Sequence, residues 1–161
     1  MKKRIFLCCF VFVLLLSFVS CTGKTANSSL PEDIQVVLYA DNADTWTLDI
    51  QKDGTAVAAH GDRRTNRLAY LAYLDALTAK REEGQLTAKQ LETVHDAVEE
   101  LKVLEEVTET QTRNYTWKAA VFVGDKTYTF FYEQDENPAY YAIVEQIISC
   151  SPMEIVLDDF E

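Results

Sequence analysis

Residues 115–133, YTWKAAVFVGDKTYTFFYE, leave the backbone few choices. Alternating side chains run up to Gly124-Asp125, the kind of dipeptide that supplies the positive φ angles of a two-residue hairpin turn, and alternate again beyond it. If Val123 pairs with Lys126, then Val121 faces Tyr128, Ala119 faces Phe130 and Trp117 faces Tyr132, so side-chain sizes match across one face. The opposite face carries Phe122 and Phe131 beside Lys118, Ala120 and Thr129. Either a helix covers those two rings, or they form an exposed aromatic patch of the kind that binds a partner.

The remaining elements follow from the same periodicities. Ile34, Val36 and Leu38 alternate in DIQVVLYA, which predicts a strand over 33–40. Trp46, Leu48 and Ile50 alternate ahead of Asp53-Gly54, which reads as a type I′ turn. That turn brings Val57 back opposite Ile50 and Ala59 opposite Leu48, and it sends His60 to the solvent face opposite Thr47. Thr87 and Gln90 have the spacing of a capping box, with Leu86 and Leu91 as its staple and Leu91, Val94, Val98 and Leu101 as the buried stripe. Asn137-Pro138 opens a helix whose apolar side includes Tyr140, Val144 and Ile147, and which Pro152 stops. Leu68, Leu71, Leu74 and Leu77 predict a third helix over 66–80, and the tail MEIVL an edge strand. The expected fold is α+β: an antiparallel sheet of about five strands, two hairpins plus an N-terminal strand, with about three helices packed mainly on one face.

Ahead of this domain, Lys2, Lys3 and Arg4 precede an apolar run over residues 5–19. Spanning a bilayer takes about 20 apolar residues, so the run suits a cleavable signal better than a permanent span. At its end Phe18, Val19 and Ser20 precede Cys21, and this resembles the lipobox of bacterial lipoproteins. The resemblance implies cleavage before Cys21 and a diacylglyceryl group on its thiol; two acyl chains hold stably where one holds marginally. An uncleaved anchor would tether the domain on the same side. The chain then divides into a signal at 1–20, a lipidated Cys21 with a flexible polar stalk through 32, and one globular domain at 33–161. The hairpin WTLDIQKDGT, the helix start GQLTAKQLETV and the hairpin WKAAVFVGDKTYTF together resemble small bacterial lipoproteins whose domain has no known function, over residues 46–152. That resemblance implies a fold and no activity.

Charge and cysteines narrow the function. Loss of the signal takes Lys plus Arg from 15 to 12 against 26 acids, a net charge of −14, which nucleic acid and anionic headgroups repel. The membrane partnership therefore rests on Cys21, and no nucleic acid is expected. Cys8 and Cys9 leave with the signal and Cys21 is acylated, so Cys150 is alone. At a helix end and beside the Ile147 stripe, it reads as a buried, inert thiol. His60 and His95 are the only histidines, too few for a zinc cluster, and His95 is spaced to pair with Glu99 one turn on. The acidic loops at Asp41, Asn42 and Asp44 and at Asp135, Glu136 and Asn137 lack the glycine and terminal glutamate of an EF-hand. Arg63, Arg64 and Arg67 cluster in an otherwise anionic chain, either paired with its own acids or open to an anionic ligand. No catalytic residue, metal or cofactor is implied. The leading expectation is a lipid-anchored module outside the cytoplasm, on the cell membrane or the outer membrane. It would bind an unidentified protein or envelope ligand through Phe122, Phe131, Arg63, Arg64 or Arg67. The alternative is an envelope hydrolase working through carboxylates or a histidine.

Overall fold

Among the described residues six antiparallel strands form one sheet, and two helices pack across one of its faces. The computed structural model describes residues 29–40, 44–62, 80–104 and 116–157. The strands are β1 (Ile34–Tyr39), β2 (Asp44–Ile50), β3 (Thr55–Asp62), β4 (Arg81–Gln85), β5 (Lys118–Val123) and β6 (Lys126–Phe131), in the spatial order β4-β3-β2-β1-β5-β6. The helices are α1 (Ala88–Val103) and α2 (Pro138–Ile148). The α+β class and the single antiparallel sheet are as the sequence predicts, with six strands rather than about five. The helix expected over 66–80 lies outside the described residues, except for Lys80, which is non-helical and accepts a hydrogen bond at its carbonyl from His60 N (3.0 Å).

β1 joins the two hairpins. Ile34 pairs with both Ile50 and Val123, Val36 with Leu48 and Val121, and Leu38 with Trp46 and Ala119. The helices bury this face. Thr87 Oγ1 accepts from Gln90 N (3.3 Å) and Thr87 N donates to Gln90 Oε1 (3.0 Å), closing the predicted capping box. Leu91, Val94, Ala97, Val98 and Leu101 of α1 are buried, and so are Tyr140, Ile143, Val144 and Ile147 of α2. Each fully buried aliphatic side chain contributes about 1.5–3 kcal/mol. Asn137 stands at the start of α2, yet its side chain does not cap; Nδ2 donates instead to the Phe131 carbonyl (3.1 Å), tying the helix to the end of β6. Leu30, in the stretch read as stalk, is buried, and its N–H donates to the Lys52 carbonyl (2.9 Å).

The β5–β6 register is the predicted one throughout, and Tyr132 N donates to the Trp117 carbonyl (2.9 Å). The β2–β3 register is not. Ile50 pairs with Ala56 and Leu48 with Ala58, one residue from the expected pairing with Val57 and Ala59. The cause is the turn. Gln51 N donates to the Thr55 carbonyl and Gly54 N to the Gln51 carbonyl, both at 2.8 Å, so three residues rather than two make the loop, with Gly54 at φ +86°. A three-residue loop closed by a left-handed glycine is the next commonest hairpin connection, and a one-residue slip moves every side chain to the other face. His60 therefore lies beside Trp46, on the helix-bearing face, and not opposite Thr47.

One element was not expected, and one expected strand does not form. β4, REEGQ, has no apolar alternation and no counterpart in the sequence reading; it is an edge strand, bonded only to β3, whose exposed charges suit a sheet rim. The tail over 153–157 is not a strand: Met153 is buried and Ile155 and Leu157 pack against the core as irregular chain.

The second face of the sheet is also buried. Val37, Ala120 and Phe122 form a small cluster there with Tyr39 against it, and Gln35, Thr45, Thr47 and Asp49 are buried polar neighbours. Among the described residues no helix belongs to that cluster.

Candidate functional site

A concavity of ligand size opens on α2. Tyr141, Glu145 and Ile148 sit at positions i, i+4 and i+7, so they share one face of the helix. Beyond the helix end the chain turns through Ser149 to Pro152, and Met153, Glu154, Ile155 and Leu157 supply the opposite wall. Between them lies a cleft of about 440 Å³, within the range of about 300–1,000 Å³ common for ligand sites.

Tyr132, just past β6, reaches the cleft from the sheet. Its hydroxyl donates to Glu145 Oε1, and its ring stacks on that of Tyr141 with centroids 4.7 Å apart and planes 29° off parallel. Burial, with the hydrogen bond to Glu145 second, pushes the Tyr132 hydroxyl far above its ordinary pKa. Burial first and the Glu145 carboxylate second also raise Tyr141. Both phenols therefore stay neutral, and Glu145 is held against an aromatic pair. Chemically the cleft offers acceptors, ring faces and apolar wall.

A second constellation sits near the end of β2 and β3. The His60 ring lies flat on Trp46, with centroids 3.9 Å apart and planes 9° off parallel, and Nε2 is 2.8 Å from Asp44 Oδ1. The His60 side chain is 34% exposed. An acid-oriented imidazole is one part of a hydrolytic machine, but it needs a nucleophile or a bound water in reach. Cys150 does not serve: it is buried, its thiol is 3.8 Å from the Gln90 carbonyl and 3.7 Å from the Gln146 carbonyl, and burial pushes its pKa up. His95 pairs not with Glu99 but with its neighbour Asp96, at 3.4 Å, while Glu99 accepts from Lys102 (3.0 Å). The lysine, one turn on and oppositely charged, wins that contact. Among the described residues no cluster of three His, Cys, Asp or Glu is arranged to hold a metal ion.

The aromatic residues singled out from sequence lie elsewhere. Phe122 and Phe131 are only 5% and 6% exposed, so neither presents an open ring; Lys118 Nζ stands 5.4 Å from the centre of the Phe131 ring. Arg63, Arg64 and Arg67 lie outside the described residues, as does Cys21. Sequence reasoning missed Tyr132, Tyr141 and Glu145 as a group. The available signal was Tyr141 and Glu145 one turn apart on a helix of high apolar content, a spacing that faces both toward the same neighbour.

No family model matches this chain, and no curated protein does either. The cleft and the Asp44–His60–Trp46 group must therefore be read from their own chemistry.

One buried group stands apart from both. Asp49, 4% exposed on the second face, has its Oδ1 without a hydrogen-bond partner among the described residues, as has the neighbouring Thr47 Oγ1. Burial, helped by Asp33 and opposed by Arg81, raises the Asp49 carboxyl from 3.8 to about 6.

Proposed function

We propose that this protein is a membrane-anchored lipoprotein, tethered outside the cytoplasm through Cys21, whose domain is a non-enzymatic binding module. The observation that carries the binding reading is the cleft on α2, walled by Tyr132, Tyr141 and Glu145 and by the chain beyond the helix. It is open and of ligand size, and among the described residues no activated nucleophile lines it: both of its serine hydroxyls are spent on backbone carbonyls. The lipid anchor rests on the basic start, the short apolar run and the Val19-Ser20-Cys21 junction. In this reading a third helix from Asn66, ending short of Lys80, completes the fold, and Arg63, Arg64 and Arg67 offer their cations to a partner.

Two measurements test it. Cys21→Ser should abolish incorporation of labelled palmitate and leave the signal uncut, and a wild-type protein that takes up no palmitate, or that is soluble, would overturn the anchor. A photoreactive side chain in place of Glu154 should trap a partner in intact envelopes, where the same group in place of exposed Glu100 does not. Equal trapping at both positions, or none at either, would overturn the binding reading.

A second reading, an envelope hydrolase, is favoured by the 2.8 Å contact between Asp44 and His60. It requires a reacting group to approach the free edge of His60, and His60→Gln would then abolish turnover of cell-wall or ester substrates.

A further inference from the structure

We propose that the α2 cleft takes an organic cation, the ammonium or guanidinium head and alkyl stem of a basic side chain on a peptide partner; this rests on the binding-module reading above. The case is a census of what the lining still has to offer. Its hydroxyl donors are committed: Tyr132 and Tyr141 to Glu145, Ser149 Oγ to the Gln146 carbonyl (2.7 Å), and Ser151 Oγ to the Met153 carbonyl (2.6 Å). Among the described residues no Lys, Arg or His lines the cleft. The carboxylates of Glu145 and Glu154 remain, both on exposed residues, with the half-buried Tyr141 ring and the apolar wall of Ile148, Ile155 and Leu157.

Three ligand classes can be weighed against that inventory. An anion would meet two carboxylates and no uncommitted cationic donor. A neutral apolar molecule would cover those carboxylates and strip their water without replacing it, which is costly. A cation on a hydrocarbon stem satisfies both halves: the head pairs with carboxylate oxygens and lies near an aromatic face, while the stem covers the aliphatic wall. Glu145 is preset for the task, because the Tyr132 and Tyr141 hydroxyls hold its carboxylate in place, and a carboxylate has about four acceptor sites, enough to take a ligand's donors as well. The cleft exceeds a single lysine side chain in volume, which suits a basic residue with an apolar neighbour beside it.

The test uses the full chain in a non-ionic detergent and a fluorescent hexapeptide amide of alternating lysine and leucine, at about 0.15 M salt so that diffuse attraction is screened. The peptide should bind, and its glutamate–leucine counterpart should not. The double variant Glu145→Gln with Glu154→Gln should weaken binding by about tenfold or more, as removal of charge-assisted partners does. Glu92→Gln with Glu100→Gln, the same charge change on α1, should alter it less than about twofold. Equal losses in the two double variants, or no binding by the wild type, would overturn the proposal. Should the peptide fail while the photoreactive group at position 154 still traps a partner, the cation assignment falls and the binding module stands.

Discussion

Asp49→Asn should change the pH dependence of stability more than any other single substitution at a carboxylate of the sheet. The carboxyl is buried on the second face, lacks a partner at Oδ1 among the described residues, and has its pKa raised from 3.8 to about 6. A raised pKa in the folded state means that the protonated form is favoured by folding. This contribution is fully present below 3.8 and is lost as pH rises through about 6. At about 1.4 kcal/mol per pKa unit, the ionised carboxylate costs about 3 kcal/mol above pH 7. Asparagine keeps the shape and does not titrate. Urea denaturation of both proteins between pH 4 and pH 7.5 isolates the effect, because every other group cancels in the difference. The variant should gain about 2.5 kcal/mol on the wild type across that range, with most of the change between pH 4 and 6. A difference that stays flat with pH would refute the reasoning, and would mean that the Asp49 charge is compensated where it lies.

Gly54→Ala should destabilise by about 1–2 kcal/mol, since φ +86° is left-handed and an added Cβ would stand 2.8 Å from Gln85 Nε2 and 3.2 Å from Leu91 Cδ1. A lowered urea midpoint with unchanged slope would register it, and an unaltered midpoint would contradict the turn geometry. In a chain with Cys8, Cys9 and Cys21 all replaced by serine, Cys150 is the one thiol, and a thiol reagent should react only upon addition of denaturant. Stoichiometric labelling of the native protein within minutes would contradict the burial of that side chain.

How much of this was legible before folding depends on where each residue's partners come from. β5 and β6 could be read in register because the turn and the matched pairs are neighbours in sequence. The α1 cap was equally local: Thr87 and Gln90 satisfy each other three residues apart. β2 and β3 were misaligned by one residue because Asp53-Gly54 fits either a two-residue or a three-residue loop, and only the carbonyl of Gln51 decides between them. β4 was invisible because its residues are selected for an exposed rim, leaving no apolar signal. The buried polar row of Gln35, Thr45, Thr47 and Asp49 reads as a solvent face by alternation, although the structure buries it. The cleft was hidden for a similar reason: Tyr132 and Glu145 meet across two elements, and their separate local roles, strand end and helix surface, gave no hint of a shared one.

The burial of Leu30 has a mechanical consequence. Leu30 is fastened beside Lys52, at the end of the sheet where both hairpins turn, while Tyr132 follows the far end of β6, a strand of six residues and so about 20 Å long. Any pull transmitted from upstream enters the domain at the turn end. In the tethered arrangement proposed above, the hairpin turns would take that load first and the far end of β6 last.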